Sequence, residues 1–322
     1  MDEFRFSGLF GAIADLRAPR LKRLEVGAAR NLEPLPDTLA KIVDTTVGPV
    51  EHSKDAKALV DLHQFSYRSV LGELIYAYVA GRLDIGYAVT KLARHAQCPA
   101  AVHYESLKRV CKYLRKTADW GIIYWRPKPL MHLPVGKVEP ISIPEATDQP
   151  LPVFPKSEDP TTLVGYVDAA YGTDSKTRRS VTGTVFTLCG GAIAFRSKLQ
   201  AVVATSSTEA EFIAAVQAAK TAKYLRSVLD ELGFPQIGPT KLYEDNEAAI
   251  LMTNAGKPTQ RSQHIDIQHF ALQEWKRNGD IVMVHIPGVI NPADALTKAL
   301  GWILHHRHVR RAMGHYGPQR EA

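Results

Sequence analysis

Residues 163–172 read LVGYVDAAYG, and their side chains alternate as the two faces of a β-strand do. The stretch is mainly apolar, and Asp168 supplies its one carboxylate. Burying an unpaired carboxylate costs several kcal/mol, so Asp168 must meet a cation, hydrogen-bond donors or solvent at the end of the strand. The stretch therefore predicts a strand that carries a functional acid.

Further acids occur downstream, each beside apolar sequence. They are Glu211 in TEAEFIAA, Asp245 in LYEDNEAA and Asp294 in NPADALTK. Together with Asp168 they come from four separate predicted elements. Carboxylate oxygens are the ligands that hard divalent cations prefer, so this pattern predicts a shared cation site.

The composition sets the broad class of protein. The chain has 322 residues, 45% of them hydrophobic, and a formal net charge of +7, which fits a polyanionic partner without requiring one. Its three cysteines are far apart in sequence and predict neither a disulfide framework nor a structural zinc site. No apolar run reaches the length of about 18 residues that suggests a membrane span, and no secretion signal is evident. We therefore expect an intracellular protein, cytoplasmic or nuclear, with no membrane partner.

The first half of the chain divides by its pattern. Residues 1–65 are interrupted by prolines and charges, which predicts a poorly ordered N-terminal segment. Residues 66–126 show helical periodicity three times and then the predicted strand GIIYWRP, so they predict a small helical unit. Residues 127–160 are rich in proline, which removes backbone donors and predicts a linker.

Residues 161–300 predict an α/β domain. A three-stranded antiparallel meander is followed by a long helix and then by strands that alternate with helices. Strands joined by helices pair in parallel, so the sheet should be mixed, with helices on both faces. Residues 301–322 contain HHRHVRR, which predicts a solvated basic C-terminal tail.

The start of the long helix separates two acids. Ser206 and Glu209 match a capping box, which gives Glu209 a structural role. Glu211 lies farther into the helix, on the same side as alanines that permit close approach to a sheet. We therefore interpret Glu211, not Glu209, as the site residue.

Several segments in the same order resemble a known family. The segments YVDAAYGTDSKTRRSVTGTVFTLCGGAIAFRSKLQAVVATSSTEAEFIAA, LYEDNEAAI, QHIDIQHF and NPADALTK are similar to the ribonuclease H domain of copia-type LTR retrotransposon polyproteins. Residues 67–117 resemble the end of the reverse transcriptase in the same polyproteins. The resemblance implies a ribonuclease H-like mixed five-stranded sheet with flanking helices, preceded by a small helical reverse-transcriptase remnant.

The resemblance also implies an activity and its residues. It implies metal-dependent hydrolysis of the RNA strand of RNA–DNA hybrids with two Mg²⁺ ions, for which Mn²⁺ is a possible substitute. The catalytic and metal-binding acids would be Asp168, Glu211, Asp245 and Asp294, with Asp168 bridging both ions. Partners would be the hybrid and, as a further candidate, the rest of the polyprotein.

Contacts to the hybrid should involve phosphates and 2′-hydroxyl groups more than base edges, which would make cleavage largely independent of sequence. Each candidate residue for these contacts has an alternative interpretation as an ordinary surface residue or a helix cap. The candidates are Arg178, Arg179, Ser207, Thr208, Asn246, Arg261 and His264.

The chain also departs from the family pattern. It contains no adjacent pair of aspartates, which the polymerase motif of the family requires, so we expect no polymerase active site in it. A catalytically idle remnant that binds nucleic acid is the main alternative, and an integrase-type nuclease is a third interpretation that the order of elements disfavours. The oligomeric state stays open.

Overall fold

The computed structural model describes residues 3–5, 32–125, 160–254 and 263–316. Its first element is the short strand β1 (Glu3–Arg5). The helices of the segment 32–125 follow, and they are α1 (Asp37–Thr45), α2 (Lys54–His63), α3 (Tyr67–Val79), α4 (Gly86–Ala93) and α5 (Ala101–Lys116). Strand β2 (Ile123–Trp125) closes the segment and pairs with β1 in antiparallel orientation.

Helices α3, α4 and α5 occur where the sequence predicts helices. Their apolar faces meet in one core, which includes the buried side chains of Leu71, Leu74, Leu92, Leu107 and Val110. Burial of these side chains stabilises helices that are too short to persist alone in water.

The expectation of poor order over residues 1–65 is wrong for residues 32–65. Helix α1 buries Ala40 and Val43 in the core, and Asp44 at its end accepts a hydrogen bond of 2.7 Å from Lys91 Nζ on α4. Ser53 caps α2 by accepting a hydrogen bond from the amide of Ala56. The prolines flank these helices, and long-range burial supplies the order. Residues 6–31 lie outside the described part of the chain.

The second half contains a five-stranded sheet. Its elements, in chain order, are β3 (Val164–Ala170), β4 (Val181–Leu188), β5 (Gly191–Leu199), α6 (Ser207–Glu231), β6 (Thr240–Glu244), α7 (Glu247–Asn254), α8 (Gln263–Arg277) and β7 (Ile281–His285). The strand order is β5-β4-β3-β6-β7. Strands β3, β4 and β5 are antiparallel, whereas β6 pairs in parallel with both β3 and β7. The predicted α/β fold class, a mixed five-stranded sheet with flanking helices, is confirmed.

Helix α6 covers one face of the sheet. Ala215, Ala218 and Ala222 are fully buried in the core between this helix and the strands. Their small side chains permit the close approach that the sequence predicts. Because the helix starts at the edge where β3 ends, its first turns lie beside the end of that strand.

The helical unit packs against the sheet. Tyr78 of α3 accepts a hydrogen bond of 2.9 Å from the amide of Ser197 on β5, and Thr90 of α4 contacts the Ser197 hydroxyl at 3.0 Å. A loop contact adds an ion pair, in which Arg94 Nη1 lies 2.9 Å from Asp174 Oδ2. These contacts join residues 32–125 to the edge strand β5 and to the loop after β3.

The expectation of a solvated basic tail over 301–322 is wrong for residues 302–312. They form α9 (Trp302–Ala312), in which His308 and Val309 are buried. The ring of His305 is hydrogen-bonded to the carbonyl oxygen of Asp84 at 2.9 Å. The apolar spacing of Val309, Ala312 and Met313 gives the helix a buried face that outweighs its charge.

Two further segments bear on the predicted organisation. Residues 126–159, nearly all of the predicted linker, lie outside the described residues, so the linker stays a prediction. Among the described residues, no helix combines the length and the hydropathy that a membrane crossing requires.

Candidate metal centre

Two of the predicted acids come from adjacent parallel strands. Asp168 lies in β3, and Asp245 directly follows β6. Because the carboxyl ends of parallel strands meet at the same edge of a sheet, the two acids lie on one side of the molecule. Asp168 is fully buried, whereas Asp245 is partly exposed.

Helix α6 contributes the third acid, and its cap distinguishes Glu211 from Glu209. The hydroxyl of Ser206 accepts a hydrogen bond of 3.1 Å from the amide of Glu209, as in a capping box. The Glu209 carboxylate, however, accepts its bond from the amide of Thr205 at 2.6 Å, one residue before the cap. Glu211 takes no part in the cap and lies buried against the sheet.

Asp294 lies in the 3₁₀ turn Pro292–Leu296. Asn291 fixes this turn to β3, because its Nδ2 donates a hydrogen bond of 2.7 Å to the carbonyl oxygen of Val167. Its Oδ1 accepts a bond of 3.1 Å from the amide of Ala293. The residue before Asp168 is thereby tied to the turn that carries Asp294.

The turn also requires a glycine on the neighbouring strand. Gly183 of β4 lies opposite Asp168 in the sheet register. A Cβ atom at this position would lie 2.7 Å from the carbonyl oxygen of Ala293 and 2.6 Å from Thr297 Cγ2. Only the absence of a side chain lets the turn approach the strand so closely.

The acids form two overlapping groups, in each of which one ligand oxygen per residue lies within 4.8 Å of the others. One group is Asp168, Asp245 and Asp294, and the other is Glu211, Glu244 and Asp245. All four predicted acids therefore belong to one cluster. Asp245 is common to both groups, whereas the resemblance implies Asp168 as the bridging residue.

Sequence reasoning missed Glu244, the last residue of β6. Its side chain is fully buried, and it directly follows the buried Leu242 and Tyr243. The argument that singled out Asp168, a carboxylate in a strand with apolar neighbours, applies equally to this residue and could have found it.

Sequence reasoning also missed a cation inside the cluster. Lys298 Nζ lies 2.9 Å from Asp294 Oδ1 and 3.2 Å from Asp168 Oδ1. The hydroxyl of Thr297 donates to the second oxygen of Asp168. The spacing of four residues between Asp294 and Lys298 is typical of ion pairs on a helical turn and was a usable signal.

Burial and mutual repulsion change the acidity of the cluster. Burial, followed by the charges of neighbouring acids, raises the pKa of Glu211, Glu244 and Asp245. The same causes raise the pKa of Asp294 to about 7, although Lys298 opposes the shift. In the absence of a bound cation, these acids retain protons at pH values where exposed carboxyl groups are ionised.

Four of the predicted hybrid-binding residues lie in the loop after β3 or at the start of α6. Arg178 is exposed in the loop after β3 with a left-handed backbone (φ 56°), and Arg179 is partly exposed. Ser207 is exposed at the first position of α6, next to Thr208. Asp174 lies in the same loop as the two arginines, but its carboxylate is engaged by Arg94.

Asn246 has a structural contact of its own. Its Oδ1 accepts a hydrogen bond of 3.0 Å from the amide of Ala249, which caps α7. Arg261 and the side chain of His264 lie outside the described residues, so their roles stay predictions.

Comparisons with known proteins place the chain in a family. No protein-family model matches it. The Pol polyprotein from transposon TNT 1-94 of Nicotiana tabacum is 33% identical over 234 residues, which cover 73% of this chain and 15% of the polyprotein. The secreted RxLR effector protein 161 of Plasmopara viticola is 33% identical over 159 residues, which cover 49% of this chain and 90% of the effector.

A solved structure is similar over part of the molecule. LC11-RNase H1, isolated from compost by a metagenomic approach, is 19% identical with a TM-score of 0.34, over 42% of this chain and 93% of that one.

The sheet and its carboxylate cluster define the class, an α/β protein with an acidic site at one sheet edge. The chain belongs to the family of the Ty1/copia-type retrotransposon Pol polyproteins. It spans about 15% of the length of the tobacco polyprotein.

Proposed function

We propose that this part of the polyprotein is a metal-dependent ribonuclease H that hydrolyses the RNA strand of RNA–DNA hybrids. The observation that carries the proposal is the cluster itself, in which Asp168, Glu211, Asp245 and Asp294 meet from separate elements. Gathering buried acids is costly unless a cation or protons offset their charge. Membership of the retrotransposon family supports an RNA–DNA hybrid as the substrate.

The donor atoms fit a hard divalent cation. Every candidate ligand is a carboxylate oxygen, which suits Mg²⁺ and Mn²⁺ better than softer metals. One oxygen each of Glu211 and Glu244 is buried without a hydrogen-bond partner. Buried oxygens without donors are available as ligands, so the residues present fit the ion that the family implies.

A pair of divalent ions at such a site would supply an activated water and stabilise the leaving 3′ oxygen of a phosphodiester. The chain's own residues orient the ligands. Thr297 and Lys298 hold the two oxygens of Asp168, and Asn291 fixes the turn that carries Asp294 to β3. This network keeps the carboxylates in place before any substrate binds.

The hybrid would be held by its backbone. Arg178 and Arg179 lie in the loop that follows β3, where their charges could meet phosphates. Ser207 and Thr208 lie at the N-terminus of α6, where free backbone amides favour an anion. Asn246, Arg261 and His264 complete the proposed contacts. Recognition of this kind leaves cleavage largely independent of base sequence.

The direct test uses a hybrid with labelled RNA, incubated with the purified protein and Mg²⁺. Asp168→Asn removes one charge from the cluster, and Asp230→Asn makes the same change on the exposed surface of α6 as a matched control. We expect the wild type and the control to cleave RNA in the hybrid and to spare single-stranded RNA. We expect Asp168→Asn to lose the activity.

Two outcomes would contradict the proposal. Cleavage by Asp168→Asn at the wild-type rate would exclude the proposed site. A wild-type protein that binds the hybrid but never cleaves it would favour the idle nucleic-acid-binding remnant.

A further inference from the structure

Glu244 occupies a position that the proposed set of four acids does not include. It ends β6, which lies between β3 and β7, and its side chain is fully buried. Its Oε1 accepts hydrogen bonds from the amides of Asp245 at 3.1 Å and Asn246 at 3.3 Å. The other oxygen, Oε2, is buried without a hydrogen-bond partner.

The unpartnered oxygen belongs to a carboxylate in the acid cluster. Ligand atoms of Glu211, Glu244 and Asp245 lie within 4.8 Å of one another. Glu211 also has a buried oxygen, Oε2, without a partner. Two buried acids therefore meet with one unsatisfied oxygen each, an arrangement that costs free energy unless a cation or protons join them.

The two groups of acids differ in whether a cationic side chain forms ion pairs with them. In the group that contains Asp168 and Asp294, Lys298 forms ion pairs with both residues. Across the ranges that the structure describes, no ion pair links a cationic side chain to Glu211, Glu244 or Asp245. The uncompensated charge of the cluster thus lies at the end that contains Glu244.

We propose that Glu244 is an additional metal ligand, and that Glu211, Glu244 and Asp245 form the position at which a divalent cation binds first. The inference rests on the proposed function only in taking the cluster as a cation site. A hard cation would satisfy the two unpartnered oxygens and offset the charge of acids with which Lys298 forms no ion pair.

The competing interpretation is a purely structural role, because Glu244 also caps the turn after β6 through its Oε1. The two roles differ in their measurable consequences. A ligand contributes to metal affinity, whereas a cap contributes only to stability.

The test measures Mn²⁺ binding to the intact chain by electron paramagnetic resonance, which counts free Mn²⁺ and needs no substrate. Glu244→Gln keeps the size of the side chain and its capping oxygen. Glu247→Gln makes the same change on an exposed carboxylate three residues away. Loss of a ligand or of its support lowers metal affinity by about tenfold or more, and we expect that loss in Glu244→Gln with affinity unchanged in Glu247→Gln.

Glu244→Asp provides a second variant in case Glu244→Gln does not fold, since it keeps the charge and shortens its reach. If Glu244→Gln folds, weaker Mn²⁺ binding supports the inference and wild-type affinity overturns it. If it does not fold, Glu244→Asp decides between the same two outcomes. The proposed nuclease activity can fail separately. A wild type that binds Mn²⁺ through Glu244 and cleaves no hybrid would sustain this inference alone.

Discussion

Lys298 Nζ lies 3.2 Å from Oδ1 of Asp168, a carboxylate that is fully buried at the centre of the sheet edge. The same nitrogen contacts Asp294, so one ammonium group offsets two of the clustered acids. The acid site therefore has a compensated side and an uncompensated side. Its affinity for cations should depend on both.

Replacing Lys298 by Gln should change both the stability of the metal-free protein and its affinity for metal. Without the ammonium, Asp168 and Asp294 repel each other, and we expect the metal-free protein to lose about 1 to 2 kcal/mol of stability. Metal binding should tighten, because a competing positive charge is gone. Thermal unfolding in EDTA and in Mg²⁺ measures both effects, with Lys220→Gln on the exposed surface of α6 as the control. Equal metal-free stabilities of the two variants would argue against the role of Lys298.

Gly183 should be essential to the geometry of the turn that carries Asp294. In Gly183→Ala the added methyl group would meet the carbonyl oxygen of Ala293, and the turn must move. We expect a destabilisation of about 1 to 3 kcal/mol together with weaker Mn²⁺ binding. Gly238→Ala is the matched control, since nothing lies within 4 Å of a Cβ atom there. If both variants bind Mn²⁺ equally well, the turn does not depend on this approach.

The acid cluster should make the metal-free protein less stable at alkaline pH. Burial and neighbouring acids raise the pKa of Asp294 to about 7 and that of Glu211 to about 11. The folded state then binds more protons than the unfolded state, so the free energy of unfolding falls as pH rises toward these values.

The contribution of the acids to stability is best measured above neutral pH. Burial lowers the pKa of His306 and His308, which gives stability the opposite slope below about pH 6.5, the ordinary histidine value. From about pH 7 to about pH 8 the effect of the acids dominates, and urea unfolding in EDTA should show the decline. Burial raises the pKa of the Cys111 thiol to about 12, which adds a decline of the same sign above this range. Saturating Mg²⁺ should abolish the decline that the acids cause. A free energy of unfolding that increases over this range would show that burial does not raise the pKa of these acids.

A buried ion pair near α9 should matter for stability. Arg82 and Asp84 are joined by two hydrogen bonds of 2.9 Å and 2.7 Å, and both side chains are buried. Asp84→Asn leaves the Arg82 charge without its partner, and we expect a loss of about 3 to 5 kcal/mol in urea unfolding. Asp61→Asn, on the exposed surface of α2, should change stability little. Similar unfolding midpoints for the two variants would contradict this prediction.

Local patterns in the sequence predicted much of the site. Alternation in 163–172 identified Asp168, and the capping pattern at Ser206 separated Glu211 from Glu209. Glu244 was missed because Asp245, its neighbour, already accounted for the acidity of LYEDN. Neighbouring residues of a strand point to opposite faces, but β6 ends at Glu244. Asp245 lies just beyond the strand, so both side chains can face the cluster.

Long-range burial explains the other failures. Val43 is buried by contacts with helices much later in the chain. His308 is buried on the side of α9 that packs against elements distant in sequence. Neither contact leaves a local signal, since prolines around α1 and charges on α9 indicate exposure. Tertiary packing therefore overrode the local preferences of both segments.

The most direct measurement of the central claim is anomalous scattering from crystals of the protein soaked in Mn²⁺. We predict anomalous peaks at bonding distance from carboxylate oxygens of Asp168, Glu211, Asp245 and Asp294, at the edge where β3 and β6 end. Ordered carboxylates with no Mn²⁺ among them, or ions bound only elsewhere on the surface, would contradict a shared metal centre built from these four acids.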